Sequence, residues 1–266
     1  MDFAYIFSGF AVGMLVGVTG VGGGSLMTPL LVFLFNFHPA VAVGTDLLFA
    51  AITKTGGVWV HHDTHGSVDW KVVKLLATGS LPFAVITIFT IKYLASIGKE
   101  TTGLITYSLG IALILTACAL LIRSYLMRNT VREVENGTVS TGRFQQMQVP
   151  ATILTGAVLG VLVTLSSVGA GALGTVAILF LYPKMSTLRV VGTDLAHAIP
   201  LTAIAGIGHW ALGNVNFTLL GSLLIGSLPG IWIGSHLGAK IPEKILRPIL
   251  ASILLLIGLK FVSAQS

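Results

Sequence analysis

Long apolar segments with few charges constrain this chain of 266 residues more than any other feature. Residues 72–93 and 103–123, for example, are each long enough to cross a hydrocarbon core of about 30 Å as a helix. Only 9% of all residues are charged, against about 25% in a soluble domain. The apolar runs are continuous rather than alternating, which argues against a transmembrane β-barrel. We therefore predict an all-α integral membrane protein whose helices lie in the lipid bilayer.

The two halves of the chain carry the same short motifs in the same order. The matched positions, each 147 or 148 residues apart, are 21–24 with 168–171, 44–47 with 192–195, 61 with 209, and 79–82 with 226–229. An internal duplication explains this spacing. We predict an N-terminal transmembrane repeat over 1–123 and a C-terminal repeat over 150–266. A hydrophilic linker over 124–149 is expected to have little fixed structure, and a polar loop is expected at 61–66.

Lys and Arg counts predict how the two repeats are oriented. With about five crossings in each repeat, the second is inverted relative to the first, and eleven Lys and Arg lie on the linker side against three outside. With four crossings, seven would lie on each side. Basic residues concentrate on the cytoplasmic side, so we predict inverted repeats in the inner membrane, a cytoplasmic linker and both termini outside. This role for the basic residues leaves no need for a nucleic-acid partner.

Glycine-rich loops interrupt the first apolar part of each repeat and leave short, broken helices on either side. Irregular backbone at membrane depth is tolerated where it is buried in protein or lines a cavity. Short helices should begin near Ser25 and Ala172, and the N–H groups at a helix N-terminus suit an anion. The alternative is that the glycines only allow close helix packing. The residues that we predict to bind the substrate are Gly22, Gly23, Gly24, Ser25, Thr45, Ser166, Ser167, Gly169, Gly171 and Thr193.

Ionisable side chains inside the apolar segments are candidates for the transport pathway or for coupling. Asp194 and His197 lie one helical turn apart, which indicates a proton-responsive pair, although Asp194 could instead bond to backbone at a helix contact. Lys54 follows Asp46 by eight residues on about the same helix face. It could bind substrate, pair with that carboxylate, or extend to the interface. His209 joins the candidates because the equivalent residue in the other repeat is also histidine.

These motifs resemble one known family. The Gly20–Gly24 stretch, the two Gly-Thr-Asp-Leu motifs, His197 and the two Gly-Ser-Leu-Pro motifs are similar to those of the sulfite exporter TauE/SafE family. The resemblance covers nearly the whole chain except the linker. It implies an inner-membrane transporter for sulfite, sulfoacetate or another organosulfonate. We therefore predict a secondary transporter that exports a small inorganic or organic sulfur anion, and we add proton coupling as a hypothesis.

Other functions have weaker support in the sequence. An anion channel of the same fold is one alternative, and an intramembrane hydrolase using Asp194, His197 and a serine is a more distant one. The sequence has no His-Glu-x-x-His or Gly-x-Ser-x-Gly motif, and its single cysteine, Cys118, excludes an internal disulfide. We predict no enzymatic activity, no cofactor and no metal. The oligomeric state stays open, with a homodimer as one option.

Overall fold

The structure, a computed structural model, describes residues 3–19, 24–65, 68–135, 144–238 and 243–263, and all regular secondary structure in these ranges is helical. The helices are α1 Phe3–Thr19, α2 Gly24–Phe33, α3 Pro39–His65, α4 Trp70–Ser96, α5 Thr102–Glu135, α6 Phe144–Ser166, α7 Ala172–Leu181, α8 Thr187–Ala211, α9 Phe217–Gly238 and α10 Glu243–Ser263. Two groups of five follow one another, and the second helix of each group has only ten residues. The all-α prediction is confirmed.

Five of the described helices are long and apolar enough to cross a membrane, namely α4, α5, α6, α8 and α9. Large apolar side chains point outward from the helices, among them Phe89, Trp232 and Leu256. A soluble protein would hide such side chains, whereas a membrane protein exposes them to lipid. The chain is thus a multi-pass membrane protein, as the composition predicts.

The short helix α7 folds back along α6. The Gln148 side chain, near the start of α6, donates a 2.5 Å hydrogen bond to the Leu181 carbonyl at the end of α7. One turn further along α6, the hydroxyls of Thr152 and Tyr182 lie 2.9 Å apart. The reversal is made by residues 167–171, which we call the glycine loop. The loop therefore forms the tip of a hairpin and is surrounded by the other helices.

Glycines let helices from opposite halves pack backbone against backbone. A Cβ atom on Gly226 of α9 would overlap the carbonyl oxygen of Ile6 in α1. A Cβ atom on Gly79 of α4 would overlap the carbonyl oxygen of Ile153 in α6. Both residues of the first contact lie 147 positions from those of the second. The same contact thus occurs twice, and these two glycines allow the helices to pack closely.

Helices α5 and α10, the fifth of each group, pack against one another at Gly110 and Gly258. Gly110 faces Val262, and Gly258 faces Ile114. As residue numbers rise along α5, the residue numbers of their contacts on α10 fall, so the two helices run antiparallel. Helices in equivalent positions run this way in inverted repeats.

Two stretches expected to be loops are helical. Helix α3 continues to His65, through the expected polar loop, and α5 continues to Glu135 in the expected linker. Residues 124–135 include Leu, Met, Arg and Glu, which favour helix, so a membrane helix can extend into water without a break. The expectation of little fixed structure was wrong for residues 124–135 of α5 and 144–149 of α6, and residues 136–143 lie outside the described ranges. The division into two repeats and a linker over 124–149 stays a prediction.

Candidate functional site

A threonine on each short helix donates a hydrogen bond to an aspartate on the next helix. Thr28 Oγ1 of α2 donates to Asp46 Oδ2 of α3 at 2.5 Å. Thr175 Oγ1 of α7 donates to Asp194 Oδ2 of α8 at 2.9 Å. All four residues are at most 2% exposed. Buried carboxylates need such donors, and these contacts hold each short helix against its long neighbour.

The sequence analysis missed both threonines. Neither stands out, since threonine is common in membrane helices, where its hydroxyl bonds to the backbone of its own helix. The sequence did contain a sign of their equivalence. Thr28 and Thr175 are 147 residues apart, which is the offset of the motifs repeated between the two halves.

Lys54 of α3 binds the glycine loop of the other half. Its Nζ donates a 2.8 Å hydrogen bond to the Ala170 carbonyl oxygen, and the residue is 6% exposed. The ammonium interacts electrostatically with the carboxylates of Asp46 and Asp194 and with the imidazole of His197. The structure thus gathers four of the five pathway candidates into one group, which we call the central cluster. The buried hydrogen bond excludes extension of Lys54 to the interface.

The glycine loop turns sharply through residues with positive φ. Gly169 has φ 113° and Gly171 φ 135°, values that favour glycine strongly over other residues. The turn directs the Gly169 carbonyl oxygen at the start of α7, where it accepts hydrogen bonds from Leu173 N at 3.1 Å and Gly174 N at 3.3 Å. Two amides that were expected to be free for an anion therefore already have an acceptor. An anion at this N-terminus has to displace a carbonyl group.

The two serines before the loop have different surroundings. Ser166 Oγ donates to Leu162 O at 2.6 Å and accepts from Val168 N at 3.1 Å, so it stabilises the turn. Ser167 Oγ is buried and makes no hydrogen bond within the described part of the chain. It lies close enough to the Asp46 carboxylate to interact with it. Of the two candidates, Ser167 is therefore the better placed to contact a ligand in the central cluster.

His197 has a partner that the sequence analysis did not assign. Its Nε2 lies 2.8 Å from Ser80 Oγ of α4, and both residues are buried. Ser80 belongs to one Gly-Ser-Leu-Pro motif, so the motif contributes a polar group to the central cluster as well as a close helix contact.

Thr45 and Thr193 connect the two halves through backbone amides. Thr45 Oγ1 accepts a 3.1 Å hydrogen bond from Asn216 N, and Thr193 Oγ1 accepts a 2.9 Å hydrogen bond from Asp69 N. Asp69 and Asn216 precede α4 and α9, and their side chains accept from backbone N–H groups in the first turns of these helices. Both threonines therefore have a structural partner, and their contact with substrate stays a prediction.

His209 lies near the end of α8, three turns beyond His197. Its Nε2–H donates a 2.9 Å hydrogen bond to Thr164 O, and its Nδ1 lies 3.5 Å from Asn214 Nδ2. These contacts join the end of α8 to α6. A role for His209 in the pathway stays a prediction.

The first glycine loop is less fully described. Gly22 and Gly23 lie outside the described residues. Gly24 and Ser25 are the first residues of α2, and α7 begins at Ala172, so both short helices start where the sequence predicts. The side chain of Ser25 lies outside the described part of the structure. Binding of an anion by these residues therefore stays a prediction.

The chain is similar to known membrane transporter proteins. A family model described as Sulfite exporter TauE/SafE matches residues 5–261. The "Probable membrane transporter protein YjnA" of Bacillus subtilis (strain 168) is 39% identical over 266 residues, which covers 98% of this chain and 100% of the relative. The "Probable membrane transporter protein YdhB" of the same organism is 27% identical over 253 residues, 93% of this chain and 97% of the relative. No solved structure matches.

These matches extend over both groups of five helices. They agree with a membrane transporter rather than an enzyme. The chain belongs to the sulfite exporter TauE/SafE family.

Proposed function

We propose that this protein is a secondary transporter that carries sulfite or a small organosulfonate out of the cell across the cytoplasmic membrane. The observation that carries the proposal is the hydrogen bond from the buried Lys54 ammonium to the Ala170 carbonyl oxygen. An ammonium has three N–H donors, and a lysine at membrane depth is by default a candidate for a functional site. The oxygen atoms of an anion can take the place of the Ala170 carbonyl.

The groups around Lys54 suit a sulfur oxyanion. The Ser167 hydroxyl is a further donor, and the positive end of the α7 dipole lies beside the same loop. The amides of Leu173 and Gly174 become donors to the anion only when it displaces the Gly169 carbonyl oxygen that they now bind. Sulfite and sulfonates present several oxygen atoms that accept hydrogen bonds from such donors. The family description, which names sulfite, supports this substrate class.

Transport would proceed by movement of one repeat relative to the other. We interpret the two groups of five helices as inverted repeats, because α5 and α10 run antiparallel and the Gly226–Ile6 contact recurs as Gly79–Ile153. Lys54 of the first repeat holds the glycine loop of the second. An anion that displaces Ala170 from Lys54 releases this link, which couples binding to a change in access.

The test is sulfite counterflow with purified protein in liposomes. Preloading the liposomes with unlabelled sulfite should accelerate the entry of labelled sulfite, and the initial rate should saturate. Sulfoacetate and methanesulfonate, added outside, should compete. Flux that neither saturates nor responds to preloading would indicate an anion channel instead. No flux of any of the three anions would overturn the proposal.

A further inference from the structure

We propose that Asp46 binds a proton that is transported together with the anion, that its protonated Oδ1 donates a hydrogen bond to Ser167 Oγ, and that this protonation frees Lys54 for the anion. The inference rests on the transporter function proposed above and names its coupling site.

Two neighbouring buried atoms mark the place where the proton binds. Within the described residues, Asp46 Oδ1 and Ser167 Oγ are both buried and both lack a hydrogen-bond partner. The two side chains lie close enough to interact. Buried polar atoms without partners are rare and costly. A proton on Asp46 Oδ1 gives this oxygen a hydrogen to donate, and Ser167 Oγ has lone pairs to accept it.

The central cluster contains two carboxylates and one ammonium, so one bound proton would make its charges balance. Lys54 is the charged group that interacts with Asp46 directly, and it also interacts with Asp194 and His197 of α8. The contacts from α2 and the glycine loop come from Thr28 and Ser167, which do not titrate in the physiological range. One ammonium balances one carboxylate. The second carboxylate is therefore expected to bind a proton in this apolar interior.

The two aspartates differ in a way that favours Asp46 as the proton-binding residue. Asp194 Oδ1 occupies the position that a Cβ atom on Gly174 would take, against the first turn of α7. The positive end of a helix dipole stabilises an ionised carboxylate there. The residue equivalent to Gly174 in the first half is Met27, which is fully buried. Met27 fills the space that Gly174 leaves open on α7, so Asp46 contacts α2 at Thr28, the fifth residue of that helix. Because the effect of the dipole falls off beyond the first turn, Asp46 gains less of this stabilisation than Asp194.

Protonation of Asp46 changes which group can bind Lys54. An ionised Asp46 attracts the ammonium and competes with the anion for it. A protonated Asp46 no longer does so, and Lys54 can bind the anion. Proton and anion therefore strengthen each other's binding, and this coupling is reciprocal. The two ligands are thus expected to cross the membrane together. Export in the cell then requires that the outward sulfite gradient and the inside-negative potential exceed the inward proton gradient, whereas an acidic exterior drives the same step inward.

Sulfite transport in liposomes tests this inference through two measurements on the same protein. Counterflow at equal pH measures anion exchange, which needs no net movement of protons. Accumulation driven by a more acidic exterior measures coupling. Because wild type and variants meet the same mixture of sulfite and bisulfite, the titration of the substrate itself cancels in the comparison. We expect Asp46→Asn, which resembles the protonated acid, to retain measurable counterflow at a reduced rate. The ratio of accumulation to counterflow should fall at least about tenfold.

The matched control is Glu100→Gln, which removes an exposed carboxylate between α4 and α5 and should keep the wild-type ratio. A wild-type ratio in Asp46→Asn would overturn the inference while leaving the transporter proposal intact. Absence of any sulfite flux in wild type would overturn the transporter proposal, and the coupling inference with it.

Ser167→Ala tests the acceptor independently of Asp46 substitutions. Without its acceptor, the proton on Asp46 should bind more weakly, and the pH midpoint of sulfite accumulation should shift toward acid by about one unit, since a hydrogen bond is worth roughly tenfold in an equilibrium constant. An unchanged midpoint in an active Ser167→Ala protein would overturn the assignment of Ser167. A shift toward alkaline would overturn it as well, because it is the result expected if Ser167 instead donates to the ionised Asp46 carboxylate. It would do so even if Asp46→Asn failed to fold.

Discussion

The Lys54 ammonium donates a 2.8 Å hydrogen bond to the Ala170 carbonyl oxygen, which lies 116 residues further along the chain. This bond joins the third helix of the first group to the glycine loop of the second. The buried carboxylates of Asp46 and Asp194 interact with the same ammonium. The Lys54 ammonium, the glycine loop and the start of α7 therefore lie together. A substrate bound there would contact both halves of the chain at once.

The place of Asp194 depends on the absence of a side chain at Gly174. A methyl group at this position would overlap Asp194 Oδ1. We expect Gly174→Ala to displace the carboxylate, to destabilise the protein by about 1–3 kcal/mol as overpacking does, and to lower sulfite flux strongly. Thermal unfolding and liposome flux measure the two effects.

Gly221→Ala on α9 is the matched control, because a Cβ atom there meets open space. Alanine in place of a helical glycine should leave stability unchanged or raise it by up to about 1 kcal/mol. If both substitutions had the same effect on flux, the importance of the space beside Asp194 would be refuted.

The hydrogen bond between Ser80 and His197 joins α4 to α8 inside the central cluster. Ser80→Ala should destabilise the protein by about 1–3 kcal/mol, because it leaves a buried imidazole nitrogen without its partner. The equivalent Ser227 of α9 bonds to Leu224 O in its own helix at 3.3 Å, so Ser227→Ala should cost less. Thermal unfolding of the two purified variants gives the comparison. A larger loss of stability in Ser227→Ala would count against the assigned contact.

Thr45 and Thr193 offer a test that separates structural support from substrate binding. Each hydroxyl accepts a hydrogen bond from a backbone amide of the opposite half. Thr45→Val and Thr193→Val should each lower stability by about 1 kcal/mol, while the matching Thr→Ser variants retain the hydroxyl and most of the stability. Calorimetry measures the loss of stability, and sulfite kinetics measure whether the substitution also weakens substrate binding. A raised KM with wild-type stability would instead favour direct contact with substrate.

The predicted orientation can be measured by cysteine labelling. In a Cys118→Ala background, Ser140→Cys should react with an impermeant maleimide only from the cytoplasmic side, because eleven of the Lys and Arg lie on the linker side in the inverted arrangement. Ser266→Cys should react only from outside. Right-side-out and inverted membrane vesicles provide the two sides. Labelling of both cysteines from one side would rule out an odd number of crossings in the second half.

Helices and their grouping were predictable because they follow from local properties. Apolar length marks the spans, and the repeated Gly-Thr-Asp-Leu motif marks the two halves, so the start of α7 at Ala172 agrees with expectation. The ends of α3 and α5 were not predictable in this way, since polar residues are compatible with both a loop and a helix that leaves the membrane.

The partners of the site residues depend on tertiary structure and could not be predicted from local pattern. Nothing near Lys54 in the sequence points to Ala170, and the free N-terminus expected for α7 is occupied because φ at Gly169 turns its own carbonyl toward the helix. The offset between the two repeats is the sequence feature that relates distant residues to one another. Applied to every polar residue, this offset identifies Thr28 and Thr175 as equivalent positions.

Sulfite counterflow by Lys54→Gln tests the central claim most directly. Glutamine removes the positive charge and keeps an N–H donor, on a side chain one atom shorter than that of lysine. We predict that counterflow falls at least about tenfold, as expected for the loss of a charged hydrogen bond to the anion. The matched control Lys92→Gln, at an exposed position of α4, should remain close to wild type. Wild-type counterflow by folded Lys54→Gln protein would contradict the assignment of Lys54 as the residue that binds the anion.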